Sequence, residues 1–228
     1  MRSLFVSLLF LFASGFALAQ VNVGFRAAYG QSNLRTDDQL DLLSDQFSSA
    51  SSTNAGLYVE LPVSEVFSLR SGLEINRRGT SLRLDESVEV FGFDLPFGAT
   101  AKTRFTYVDV PLLAQVHVPT GSVLRPYAFG GASLGYATGG NIRTTARAII
   151  DFNLMTTNID LDAINYERFH VAALGGVGVK AEVAQGFSVF AEGRYEQSLT
   201  QPYDVPVLNA KTGFKGFNFG AGVAFTLQ

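Results

Sequence analysis

The chain has 228 residues, no cysteine, 17 basic against 20 acidic side chains and a formal net charge of -3. Those values exclude a disulfide scaffold, a thiolate metal site and the basic footprint of a nucleic-acid-binding protein. Gly (23), Phe (20) and Tyr (8) are abundant, and no apolar run after the N-terminal segment is long enough for a helical span, a composition that fits a membrane barrel or a secreted β-domain.

The chain opens on a targeting pattern. Arg2 is followed by an apolar run from Leu4 to Phe12 and by small residues ending in Ala17, Leu18 and Ala19, which predicts a secretory signal over 1–19 cleaved before Gln20. A transmembrane helix would need about 20 apolar residues and a stop-transfer flank, and the run has neither. Residues 20–228 contain nothing resembling a linker and are expected to form one β-domain, since barrels reach that size as a single unit.

Period-2 alternation then recurs along the chain, placing successive side chains on opposite faces of a strand. Val21 to Tyr29 puts Val21, Val23, Phe25, Ala27 and Tyr29 against Asn22, Gly24, Arg26 and Ala28. Near Asn54 to Pro62, Ala55, Leu57, Val59 and Leu61 oppose Tyr58 and Glu60. From Phe67 to about Arg77, Phe67, Leu69, Leu73 and Ile75 oppose Arg70, Glu74 and Asn76. In the fourth strand Val108, Val110, Leu112, Ala114, Val116 and Val118 oppose Asp109, Leu113, Gln115 and His117. The fifth, Arg125 to about Ala137, is so rich in Gly and Ala that its facing stays open. The sixth, Phe169 to Val183, sets Val171, Val177, Val179 and Val183 against His170, Lys180 and Glu182. The seventh sets Phe187, Val189, Ala191 and Tyr195 against Glu192, Arg194 and Glu196, and the last, Phe217 to Leu227, closes the series with Phe217, Phe219, Val223, Phe225 and Leu227 on one face.

Short turns at Pro62 to Val66, Pro119 to Leu124 and Ala184 to Gly186 alternate with long segments at Gln31 to Thr53, Gly79 to Lys102, Thr138 to Glu167 and Thr200 to Phe214. All long loops therefore fall on one rim, as in an outer-membrane barrel with short periplasmic turns. The expected fold is all-β, an eight-stranded antiparallel transmembrane β-barrel in the cell outer membrane, with ten strands as the runner-up. Leu82 to Phe93 and Ile149 to Ile164 alternate as well and are expected to extend strands above the membrane. Leu40, Leu43 and Phe47 fall at helical spacing among Asp37, Asp38, Asp41 and Asp45, which predicts a short surface helix.

Alternation alone does not say which face is inside. The charged face carries both signs at similar heights: Arg26, Arg70, Lys180 and Arg194 with Glu60, Glu74, Asp109, Glu182 and Glu192. Interior groups need such pairing in a narrow lumen. The apolar face is nearly free of charge, and Phe67, Phe187, Tyr127 and Phe225 sit where an aromatic girdle would lie. Those nine charged residues are the expected polar network of the lumen, which at eight strands is just filled by side chains.

The segment Tyr107-Val108-Asp109-Val110-Pro111-Leu112-Leu113 resembles part of the PorT-like outer-membrane β-barrel domain family, and Pro126-Tyr127 through Gly135-Tyr136, the Gly175 to Gly178 strand and Glu192-Gly193-Arg194-Tyr195 are similar to its later strands. The resemblance implies an eight-stranded outer-membrane barrel, in a family with one branch serving protein secretion and most members without an assigned activity.

Catalytic patterns are weak. Gly131-Ala132-Ser133-Leu134-Gly135 matches a nucleophile elbow in letters, but no helical pattern follows it, as an elbow requires. His117 and His170 fall towards opposite ends of their strands, with His170 expected to face inward as a satisfied lumen histidine. The Asp-rich first loop could hold a divalent cation against lipopolysaccharide phosphates, yet it lacks EF-hand spacing and reads as a solvated acidic loop. No cofactor is expected, and the partners are outer-membrane lipids, lipopolysaccharide and proteins that meet the long loops, with no nucleic acid. The expected function is a non-enzymatic surface or secretion-associated interaction protein with a closed polar lumen. The alternatives are a narrow gated pore and a lipid-modifying barrel enzyme.

Overall fold

A computed structural model describes residues 21–36, 47–90, 93–147, 151–163, 166–200, 203–205 and 210–227. The predicted signal segment, the acidic stretch of the first loop and most of the predicted surface helix lie outside the described residues. Phe47, which that helix was expected to include, instead begins a strand.

The described chain is all strand and turn. In order the strands are β1 (Val21–Thr36), β2 (Phe47–Pro62), β3 (Phe67–Val90), β4 (Phe93–His117), β5 (Leu124–Arg147), β6 (Asp151–Ile159), β7 (Phe169–Ala184), β8 (Phe187–Ser198), β9 (Tyr203–Val205) and β10 (Ala210–Leu227). Every pairing is antiparallel, and β1 pairs with β10 from Val21↔Leu227 to Thr36↔Thr212 to close the sheet on itself. Eight strands form the wall, β1-β2-β3-β4-β5-β7-β8-β10, while β6 adds to β5 and β9 to β10. The ten-strand alternative is thereby corrected, because the two extra strands lie off the closed path and leave the barrel at eight. Closure matters energetically, since an open edge in hydrocarbon would leave a row of unsatisfied peptide groups.

Short turns span 63–66, 118–123 and 185–186 at one end. Gly121 and Gly186 take φ of 65° and 70° there, a left-handed conformation that glycine adopts without a steric penalty. At the other end the strands run on further than alternation indicated. Crossing a membrane takes about 9 to 11 residues per strand, whereas β3, β4 and β5 have 24, 25 and 24. Leu82 to Val90 and Phe93 thus continue the β3–β4 hairpin, but Asp151 to Ile159 forms β6, a separate strand against the upper half of β5.

The two faces of the wall differ as a membrane barrel requires. Outward lie Phe25, Leu57, Leu73, Ile75, Leu112, Val177, Phe219 and Phe225, all well exposed, while Arg26, Glu60, Arg70, Glu74, Asp109, Glu192 and Arg194 are each 3% exposed or less. β5 resolves its open facing by sending Tyr127, Phe129 and Ser133 inward and Leu134 and Tyr136 outward. Tyr127 is accordingly no girdle residue. Its ring stands over Gly178, where an added Cβ would fall 2.5 Å from the Tyr127 Cζ, and Tyr58 covers Gly24 in the same way. Inward glycine is what lets a large ring lie flat against the wall of so narrow a lumen.

Candidate functional site

The lumen is filled in layers, each fixed by the inward parity of the strands. Nearest the short turns, Lys180 Nζ donates to both Glu60 oxygens at 2.8 and 2.6 Å. Beside them His117 Nε2 lies 2.8 Å from Ser68 Oγ and 3.9 Å from Glu60 Oε1. Above, the Arg70 guanidinium rests 4.0 Å from the Tyr58 ring centroid and 5.2 Å from that of Phe190. Its Nη1 donates to Glu192 Oε2 at 2.8 Å, and Tyr127 Oη donates to the same oxygen at 2.7 Å. The ring faces serve Arg70 where hydrogen-bond acceptors run out, because a desolvated guanidinium is attracted to an aromatic quadrupole.

The middle of the barrel is a connected set of side-chain bonds. Arg26 Nε donates to Glu192 Oε1 at 2.5 Å, its Nη1 to Asn54 Oδ1 at 2.5 Å and its Nη2 to Asn218 Oδ1 at 2.6 Å. Arg194 grips Glu74 with both terminal nitrogens, at 2.8 and 3.3 Å, and reaches Glu192 Oε1 at 3.3 Å. Asn54 Nδ2 donates to Glu74 Oε2 at 2.8 Å. Three guanidiniums (Arg26, Arg70, Arg194) share two carboxylates (Glu74, Glu192). The next layer inverts the ratio, with Arg78 alone against Asp109 and Glu196 and also bonded to His170. Surplus positive charge in one layer thus faces surplus negative charge in the next, so the interior balances over the stack.

Towards the long-strand rim the filling turns apolar. Phe105, Tyr107, Ala137, Leu161, Tyr166 and Phe214 pack together. The Phe105 and Tyr166 rings stack at 4.7 Å and 16°, and the Tyr107 and Tyr166 hydroxyls are hydrogen bonded to each other. Leu161 and Tyr166 come from the turn after β6, which Asp160 shapes by accepting the amide protons of Asp162 and Ala163. Arg168, paired with Asp162 at 2.7 Å, is held above its ordinary pKa chiefly by that hydrogen bond. Below this layer a residual cavity of about 10 Å³ touches Asn76, Arg78, Glu196 and Asn218, room for about one water.

The structure brings Arg26, Arg70, Glu74, Glu192 and Arg194 into one cluster, joins Glu60 to Lys180 below it and places Asp109 on Arg78 above it. Glu182 does not join them. It sits at the short-turn mouth, half exposed, 3.9 Å from an equally solvated Arg125, because inward parity continues past the level at which the lumen is closed. Sequence reasoning missed Arg78 as a lumen cation, although it continues the series Arg70, Glu74, Asn76, and it missed the aromatic residues that interleave with the charges. Leu161 and Tyr166 left no periodic signal at all, since a turn that folds into a barrel mouth has no period.

The geometry offers little for hydrolysis. Ser133 of the Gly131 to Gly135 segment is buried in mid-strand with no turn at it. Ser68 and His117 do approach, but Glu60 lies on the same ring nitrogen as the serine, whereas a relay carboxylate orients the imidazole through the other one. Among the described residues no group of three His, Cys, Asp or Glu side chains is placed to hold a metal.

A family model described as outer membrane protein beta-barrel domain matches residues 12–203. No curated protein is matched by this sequence. Among solved structures, Neisserial surface protein A is similar at 13% identity and a TM-score of 0.47, over 90% of this chain and 97% of that one. OprG from Pseudomonas aeruginosa is similar at 12% and 0.45, over 92% and 97%. Ail of Yersinia pestis is similar at 14% and 0.43, over 90% and 99%.

Proposed function

Because the chain belongs to the outer membrane protein beta-barrel domain family and resides in the outer membrane, we propose that it is a non-enzymatic envelope protein whose lumen is a permanent plug and whose contacts are made by the strands that rise above the bilayer. The observation that carries this reading is the unbroken stack of buried partners from Glu60 and Lys180 up to Tyr107 and Tyr166. An eight-stranded wall encloses little more than its own side chains, and here arginine pairs and aromatic rings take up that space.

The projecting sheet supports the second half of the proposal. β3, β4, β5 and β6 pair with one another beyond the level a bilayer covers, and that projecting sheet is where lipopolysaccharide or a protein partner would be met. The Tyr107 to Leu113 segment favours the PorT-like family, one branch of which serves protein secretion. Export with removal of residues 1–19 belongs to the same proposal.

Two measurements test it. The mature protein should fractionate with the outer membrane and migrate anomalously on a gel unless boiled, and in planar bilayers it should give no steps of porin size. Recovery as a soluble periplasmic protein with no such heat shift would refute membrane insertion. Stable large channels would move a gated-pore function ahead of the plug.

A further inference from the structure

Below the plug the barrel opens at the short-turn end into a polar vestibule of about 470 Å³, within the range of small-molecule sites. With short turns on the periplasmic side, this mouth faces the periplasm. Its floor is the Glu60–Lys180 pair with His117 and Ser68, and its rim carries Arg125, Glu182 and Glu65. Asn22 is fixed there, receiving the hydroxyl proton of Thr226 at 2.8 Å.

The placement of the two cations is unusual. Arg125 on β5 and Lys180 on β7 are direct cross-strand partners, an arrangement in which like charges repel. One carboxylate relieves Lys180, since Glu60 takes two of its three ammonium protons. Among the described residues Arg125 has only the loose contact with Glu182 at 3.9 Å, both side chains being about half exposed or more. A carboxylate arriving from solvent would find a guanidinium fork and an ammonium edge side by side, a pairing suited to bidentate recognition. Displacing Glu182 from Arg125 would in turn free an anion at the rim.

We propose that this vestibule is a dead-end binding site for a small zwitterion, an amino acid or the free end of a short peptide, with its carboxylate between Arg125 and Lys180 and its ammonium at Glu182. The mixed lining disfavours a simple anion, which Glu60, Glu65 and Glu182 would repel, and a simple cation, which the two basic groups would. The plug above keeps the ligand from passing through, so the site serves recognition at the inner rim and not transport.

The chain supplies its own reporter, because it has two histidines. His117 lines the vestibule, while His170 is fully buried near the opposite rim. Glycylglycine titrated into the folded protein in detergent at constant ionic strength should shift the His117 ring resonance saturably, with a Kd of the order of millimolar, and leave His170 unmoved. Arg125→Gln and Glu182→Gln should each weaken binding about tenfold. Neither substitution strands a buried charge, so both variants should fold, and the wild-type titration decides alone if one does not. The proposal is overturned if no saturation is reached by about 100 mM, or if the doubly capped dipeptide, acetate and methylammonium each shift His117 as glycylglycine does.

Discussion

Glu192→Gln is expected to destabilise the barrel by about 3 to 5 kcal/mol, the range seen when one partner of a buried ion pair is removed and the other stays behind. Glu192 is the junction of the plug. It receives Arg26 and Arg194 on one oxygen and Arg70 and Tyr127 on the other. Glutamine has nearly the same shape, so packing is preserved, while the substitution removes the charge and replaces one oxygen that accepts two hydrogen bonds by an amide donor. The middle layer then holds three guanidiniums against Glu74 alone, and Arg70 loses its only ion pair among the described residues. A second substitution turns this into a sharper test. Arg70→Met in the Glu192→Gln background returns the layer to one surplus cation, as in the native barrel, so the double variant should recover part of the lost stability despite carrying two changes. Urea unfolding midpoints of the wild type, both singles and the double in the same lipid supply the cycle. Additive losses would mean that Arg70 and Glu192 are not energetically coupled and that the plug is held by packing alone. Conductance should stay low throughout, because Glu192→Gln keeps the side chain's length and, beside the shorter methionine at position 70, the Tyr58 and Phe190 rings still fill the lumen.

How much of this was legible in the sequence depends on whether a residue's role follows from period 2. The wall did: Leu57 against Tyr58, Leu73 against Glu74 and Val110 against Asp109 fall on opposite faces as the alternation demands. β5 did not, because Gly and Ala occupy both of its faces and carry no hydrophobic contrast. Tyr127 was misplaced for a related reason. A tyrosine near a strand end suits a membrane girdle and a lumen equally well, and only the Glu192 carboxylate within reach of its hydroxyl decides between them. Glu182 shows the opposite failure, since parity assigns a face but not the depth at which a lumen ends. Arg78 was lost to a boundary, because β3 runs on well past the place where alternation weakened. The apolar layer under the outer rim lies beyond any such reasoning, as Leu161 and Tyr166 reach it from a turn.

The second large effect is expected on the outer wall, where depth in the bilayer is the deciding variable. Val179 lies five residues from the end of β7 at Ala184. At about 3.4 Å per residue and a tilt of about 40°, that places it roughly 13 Å above the periplasmic edge of an apolar band about 25 Å tall, near the midplane. Its side chain points outward, and its cross-strand partners Pro126 and Ala191 are exposed beside it, so no protein group is at hand to pair with a charge. Val179→Arg should therefore cost about 2 to 4 kcal/mol. Val189 faces the same way but lies two residues from the start of β8 at Phe187, where an arginine can extend to the headgroups. Val189→Arg should cost about 0 to 1 kcal/mol. The ratio is more informative than either value, because a soluble barrel of the same fold would have water on this face and both substitutions would be nearly neutral. Folding free energies measured in vesicles for the two variants check it. Equal and small losses would remove the lipid from the outer wall, and equal and large ones would place Val189 deeper than the strand register allows.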